Sequence, residues 1–288
     1  MTTVTERRAR DSSELLFICD FSPPRGANAS ALEPARTLGA DFVCVAYNPG
    51  KTARVNSAFA AQWIRAHTGA EVVFTLATRD INRLAAQSLL LGAALLGLEN
   101  VLVLQGDRFS ARELESVKSV DDFRPTGLLR AIGEMNAGLD YRGGKLQAPT
   151  SLCAGATIDL GHDPERELAL TRRKVQSGAH FLLMQPLFEP APLERFLARY
   201  AERYGEPLLA PLFCGVQVLA SDSPVFGHVP RRITDQLAQG RAGAEIALEV
   251  LQRFTERGVR SIYLVPPILR GGRRDYEAAR GVIAAARA

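Results

Sequence analysis

The chain has 288 residues, 47% of them hydrophobic, which is enough for a large buried core and argues against a disordered or fibrous protein. Its net charge is +4, with Lys and Arg interleaved with Asp and Glu. A nucleic-acid groove needs clustered positive charge. The densest group, Arg270, Arg273 and Arg274, has Asp275 beside it, so nucleic acid is not an expected partner.

Residues 1–14 are polar and charged, unlike a secretory leader. The most apolar helical stretch, 84–98, contains Gln87, Ser88 and Gly92 and is too short to span a bilayer. The expectation is a cytoplasmic protein without a membrane partner. Cys19, Cys44, Cys153 and Cys214 each lie in an apolar run, and none forms a Cys-x-x-Cys pair. That usage predicts buried thiols rather than disulfides or a zinc site.

In chain order, residues 1–13 read as a flexible tail, and 14–288 as one domain. Eight short apolar runs follow, at 15–19, 41–47, 71–77, 100–104, 151–156, 180–185, 207–213 and 261–265. Their spacing, mostly about 30 residues, is that of one βα unit. Near-continuous apolarity is expected of parallel strands covered by helices. Between them, 55–67 places Phe59, Trp63 and His67 on one helical stripe, and Asp80 can cap a helix over 81–98. Asp163-Pro164-Glu165 marks another helix start, Pro190 and Pro192 open the next, and 234–257 reads as the longest helix. Loops 108–124, 140–149 and 221–232 carry extra length.

Eight βα units form either a closed barrel or an open doubly wound sheet. The first strand-to-helix turn reads Asp20-Phe21-Ser22-Pro23-Pro24-Arg25-Gly26, without the glycine fingerprint of an open dinucleotide-binding sheet. The predicted fold is therefore a single (β/α)8 TIM barrel. Its chemistry belongs at the C-terminal strand ends. The polar residues there are Asp20, Tyr47 with Asn48, Thr75 with Thr78, Gln105-Gly106-Asp107, the stretch from Thr157 to His162, Gln185 and Gln217. Asp20 and Asp107, from the first and fourth strands, are the candidate catalytic carboxylates; each could instead cap the backbone that follows it. No histidine pair has metal-ligand spacing and no Gly-x-Ser-x-Gly elbow is present, so neither a metal nor nucleophilic hydrolysis is expected. Lys174, in a basic run before Gln185, reads either as a solvated helix face or as a phosphate contact.

Several of these blocks resemble a known family. Phe17-Ile18-Cys19-Asp20-Phe21-Ser22-Pro23-Pro24 resembles the Phe-Glu-Phe-Phe-Pro-Pro opening of methylenetetrahydrofolate reductases. Asn100 through Asp107 resembles that family's strand ending in Leu-Arg-Gly-Asp. Leu170 through Ala179 resembles its Leu-Lys-x-Lys-Val-x-Ala-Gly-Ala segment, with Gln185 following at the family's spacing. The stretch from Gly243 through Gly258 to Tyr263 matches in pattern, so the blocks run in family order from Phe17 to about Pro267.

The resemblance implies a barrel that reduces 5,10-methylenetetrahydrofolate to 5-methyltetrahydrofolate, with FAD as cofactor and NADH or NADPH as electron source. A small-molecule folate is the implied partner, and assembly into a homo-oligomer is left open. It further implies that Asp20 serves protonation of the folate N10, that Asp107 contacts the pterin and tunes charge, and that Gln185 binds the pterin edge. Tyr47 and Gln217 complete the substrate-facing set. The cofactor-facing set is Thr75, Gln105, Gly106, Asp107, His162, Glu167 and Lys174. Departures accompany it. Thr75 stands where the family has His, Gln105 where it has Arg, and Thr157-Ile158-Asp159 lacks the family's Tyr. Leu264-Val265-Pro266-Pro267 differs from the family's strand-eight ending. Two alternatives therefore stay open: a flavin-independent folate reductase, and a folate-binding or methyl-transfer barrel without reductase activity.

Overall fold

The computed structural model describes residues 2–120, 122–161, 163–221 and 224–288. Eight parallel strands close into a barrel in sequence order: β1 (Leu16–Phe21), β2 (Phe42–Val45), β3 (Val72–Ala77), β4 (Asn100–Leu104), β5 (Cys153–Ile158), β6 (Phe181–Pro186), β7 (Leu212–Gln217) and β8 (Ser261–Val265). β1 pairs with both β2 and β8, which completes the ring. The helices are α1 (Val4–Arg10), α2 (Ser57–Thr68), α3 (Arg83–Leu95), α4 (Pro125–Asn136), α5 (Pro164–Gln176), α6 (Ala191–Tyr204), α7 (Arg231–Ala238), α8 (Gly243–Glu256) and α9 (Tyr276–Arg287). Between β1 and β2 the chain forms a 3-10 stretch, Ala29–Thr37, that contains Pro34. Proline lacks the amide an α-helix interior needs. Among the described residues no helix is long and apolar enough to cross a membrane.

Side chains alternate along each strand, and this splits the core in two. On β1, Phe17, Cys19 and Phe21 face the helices, while Leu16 and Ile18 join Phe42, Val73, Leu102, Phe181 and Phe213 inside the barrel. The same phase places Asp20, Thr75, Thr157 and Gln185 toward the C-terminal mouth. All four cysteines are buried and free.

The opening residues, expected as a tail, carry regular structure. They form α1, started by a capping box between Thr3 and Glu6, and Val4 is fully buried in the interior cluster. Its amide donates to Asn100 Oδ1 at 2.9 Å, and Asn100 Nδ2 donates to Thr2 O at 3.1 Å and Val72 O at 3.3 Å. The segment thus seals the N-terminal end of the barrel. One buried valine among exposed charges gives no periodic signal, which is why it reads as a tail.

Other boundaries also move. The seventh strand is 212–217, not 207–213. Leu209 is exposed and belongs to the loop after α6, whereas Gly215, a weak strand former, lies inside β7. A Cβ there would sit 2.3 Å from Met184 O, where β6 is irregular against β7. Asn82, not Asp80, caps α3, accepting from Ala85 N at 2.8 Å. The expected long helix is broken into α7 and α8 at Gly240, whose φ is +86°. Phe59 on the predicted α2 stripe faces outward; Ala58, Ala61 and Ile64 supply the buried face. Leu193 and Phe196 of α6 are buried as expected.

Asn100→Ala should lower unfolding free energy by about 2 kcal/mol, because it orphans the Val4 amide and two carbonyls at a buried site. Urea denaturation checks this, and an unchanged midpoint would mean that the N-terminal seal adds nothing to stability.

Candidate active site

At the mouth, strand ends enclose a cavity of about 130 Å³ lined by Asp20, Tyr47, Thr75, Thr157, Gln185 and Tyr263 over a floor that includes Leu102 and Leu183. A shallow polar ring over an apolar floor suits a flat heterocycle with hydrogen-bonding edges. Gln185 also lines a neighbouring cavity of about 170 Å³, formed with Phe188, Gly227 and His228. One amide therefore stands between two compartments.

Asp20 is the most constrained group at the mouth. Arg274 Nε donates to its Oδ2 at 3.0 Å, and the Tyr263 hydroxyl donates to its Oδ1 at 3.2 Å. The side chains of Asp20 and Arg274 are only 8% and 6% exposed, so this ion pair lies largely out of water. Burial opposes the charge of Arg274, but Asp20 outweighs it and holds the guanidinium above its ordinary value. Burial, reinforced by the Asp20 charge, pushes the Tyr263 hydroxyl well up, so it stays a neutral donor. Behind them Tyr276 stacks on Phe21 at 4.4 Å, and its hydroxyl accepts from Ser22 N at 2.9 Å.

On the β3–β4 side, Gln105, Gly106 and Asp107 leave the barrel together. The Asp107 side chain is exposed, and it does not line the mouth cavity with Asp20. The backbone here is organised by Arg79, which is nearly buried. Its guanidinium grips Asp80 through two bonds of 2.6 and 2.7 Å, donates to Asp107 O at 2.5 Å and lies 4.1 Å over the Phe109 ring. Gly106 has φ +86°, and a Cβ there would press on Arg79 Cβ at 3.3 Å, so the turn requires glycine. Lys51 ties the long loop after β4 across to β2, donating to Glu113 at 2.6 Å and Arg108 O at 3.2 Å. That lysine, with Ser110, holds the Glu113 carboxyl down at about 2.

The remaining candidates are distributed unevenly. Tyr47 lines the mouth, where burial and the Asp80 carboxylate push its hydroxyl up. Thr75 is buried inside the barrel, its carbonyl accepting from Ser57 Oγ at 2.5 Å. Gln217 does not reach the mouth. Its Nε2 donates to Pro224 O at 2.8 Å and its Oε1 accepts from Phe226 N at 3.0 Å, so the amide anchors the loop after β7. Glu167 and Lys174 pair at 3.0 Å on α5, and Lys174 Nζ also donates to Thr157 O at 2.6 Å. The basic run containing Lys174 is therefore not simply a solvated face. His162 lies outside the described residues.

Sequence reasoning did not assign Arg274, Tyr263 or Arg79 to the site. Strand phase could have found Tyr263, which faces inward from β8. Arg274 is 254 positions from Asp20, and nothing local announces that pairing. Arg79 sits beside a carboxylate and resembles an ordinary surface pair.

Comparison with known proteins gives three concordant results. The family model described as "Methylenetetrahydrofolate reductase" matches residues 5–266. A Caenorhabditis elegans protein, "Probable methylenetetrahydrofolate reductase (NADPH)", is 24% identical over 286 residues; the match takes in 87% of this chain but only 40% of that relative. Among solved structures, an uncharacterized protein from Clostridium thermocellum superposes with a TM-score of 0.65 at 10% identity, covering 97% of this chain and 98% of its own. It is described as binding two copies of 5-methyl-5,6,7,8-tetrahydrofolic acid. At that identity the likeness establishes the shared fold.

Asp20→Ala leaves Arg274 buried without its partner and should cost about 3–5 kcal/mol. Asp20→Asn, which keeps an acceptor for one donor, should cost less; equal losses in chemical denaturation would contradict the ion-pair account. A second expectation concerns alkaline pH. Burial raises the Cys44 and Cys214 thiols from 9.0 to about 12. The folded state keeps those protons while the unfolded chain releases them, so the associated stability is complete below pH 9 and falls as pH rises toward 12. Each thiol contributes a slope of at most about 1.4 kcal/mol per pH unit. Urea midpoints between pH 8 and 10.5 should decline, and Cys214→Ala should flatten the decline.

Proposed function

The chain belongs to the methylenetetrahydrofolate reductase family, and on that premise we propose that it reduces 5,10-methylenetetrahydrofolate with hydride taken directly from NADH or NADPH. The observation that carries this reading is the paired compartments divided by Gln185, with the Asp20–Arg274 pair at the far wall of the first. A pterin in the mouth cavity would meet amide, hydroxyl and carboxylate groups, while the dihydronicotinamide would approach past Gln185. Hydride from nicotinamide C4 then joins the exocyclic methylene carbon of the folate iminium, and the C=N electron pair returns to N5. Opening the imidazolidine ring to that iminium requires a proton at N10.

Asp20 bears on the charge in this step. Both its oxygens accept hydrogen bonds, one from a guanidinium and one from Tyr263, so the carboxylate is fixed at the cavity wall with its charge largely offset by Arg274. Protonation of N10 calls for rearrangement of this trio or for an intervening water.

The flavin implied by the resemblance meets a poor fit. Lys174 and Glu167, the charged groups assigned to it, are engaged with each other and with the Thr157 carbonyl. Thr75 is committed to the small mouth cavity, and Arg79 closes over the Asp107 backbone. Gln105 and Asp107 face solvent beside this knot. No step is therefore routed through a flavin.

Two measurements test the proposal. Protein incubated with saturating FAD and gel-filtered should emerge without flavin absorbance. With nicotinamide deuterated at C4, one deuterium should appear in the methyl group of the product. Retained flavin, together with rapid washout of label into solvent, would instead return the reaction to a flavin-mediated route. Folate binding with no nicotinamide oxidation would overturn the reductase reading altogether.

A further inference from the structure

We propose that a cleft beside the barrel mouth, distinct from the cavity above β1–β6, is a binding site for a multiply charged oxyanion at the end of a substrate. The cleft has a volume of about 330 Å³ and lies between the loop leaving β1, the 3-10 stretch after it and the segment leading into α9. Arg25, Arg54, Arg273 and Arg274 all line it, and no lining residue is acidic.

Three observations mark this as more than a basic surface. First, although Arg274 is paired with Asp20, two of the four arginines here are not neutralised as others are. Arg7, Arg79, Arg203 and Arg232, for example, each meet a carboxylate. Among the described residues neither Arg25 nor Arg273 has a carboxylate partner. Second, polar groups at the wall lack partners inside the protein. Arg54 uses one terminal nitrogen to donate to Pro23 O at 2.9 Å, but its Nε is buried and unpartnered, as is the Ser22 hydroxyl. A buried donor without an acceptor is costly and is satisfied when a ligand supplies one. Third, Arg54 is held below its ordinary value by burial and then by the positive charges of Arg25 and Arg274, the opposite of what a carboxylate would do.

Guanidinium groups on a walled cleft select planar or tetrahedral oxyanions, with two charges favoured over one. In the reaction proposed above, two chemical groups qualify: the pyrophosphate of the dinucleotide and the carboxylates of a γ-linked glutamyl chain on the folate. Location favours an extended ligand, because Arg274 forms the wall between cleft and mouth, binding Asp20 on one side and lining the cleft on the other. The assignment to a substrate rests on the reductase reading. The oxyanion site itself does not.

Isothermal titration of the full chain with inorganic pyrophosphate at low ionic strength separates the two. One-to-one saturable binding is expected, weakened at least tenfold in the Arg25→Ala, Arg273→Ala double variant. Both side chains are exposed, so the fold should persist. Arg203→Ala, a surface control far from the cleft, should leave binding unchanged. No binding by the native chain, or equal weakening by the control, would overturn the site. In turnover assays a raised KM for NADH would identify the dinucleotide. Loss of a preference for pentaglutamyl over monoglutamyl substrate would identify the glutamyl chain, and neither change would overturn the substrate assignment. If the native chain shows no turnover but the double variant still loses pyrophosphate affinity, the cleft stands and the reductase reading fails.

Discussion

The buried ion pair between Asp20 and Arg274 is the constraint around which the mouth of this barrel is organised. A carboxylate at the end of β1 and a guanidinium beyond β8 meet where the first and last strands close the ring. Taking both charges out of water is expensive, and the pair repays that cost only with good geometry and further hydrogen bonds, which Tyr263 supplies. Placement of such a pair at the mouth is difficult to explain by stability alone, since well-packed apolar residues would serve a core at least as well. What the pair does provide is a carboxylate held in one orientation at the cavity wall by two donors.

The two ends of the barrel show how the strands divide stability from chemistry. Toward the N-terminal end the inward positions are Leu16, Phe42, Val73 and Phe181, covered by Val4 and tied by Asn100. Toward the C-terminal end the same phase delivers Asp20, Thr75, Thr157 and Gln185. One alternation, continued along each strand, passes from packed hydrocarbon to hydrogen-bonding groups within a few residues. The apolar end can then bear the cost of holding polar groups in place at the other.

Much of the fold was legible because it depends on local pattern. Apolar β-branched runs spaced one βα unit apart located seven of the strands closely, and the absence of a glycine fingerprint at Asp20–Gly26 pointed to closure. The misses share a cause. Gly215 hides β7 because glycine carries no strand signal, and Val4 hides the seal because one residue has no period. The candidate site was legible where strand phase governs it, as at Asp20, Tyr47, Thr75 and Gln185. It was illegible where distant residues decide. Gln217 sits at the correct strand end but is consumed by Pro224 and Phe226, and Lys174 is consumed by Glu167. Residue type and position indicate which groups can reach a site, whereas hydrogen-bond partners determine which remain available to a ligand.

That distinction bears directly on how the mouth and the arginine cleft are coupled. Arg274 is shared, with Nε on Asp20 and its side chain lining the cleft, so an oxyanion in the cleft and the Asp20 carboxylate draw on the same positive charge. An anion in the proposed cleft would compete with Asp20 for the Arg274 guanidinium. Binding energy gained at a remote group can in general be expressed at a reacting centre, and a shared arginine is one physical route for such coupling. A neutral residue in place of Arg274 would leave both cavities but remove the one side chain that joins them.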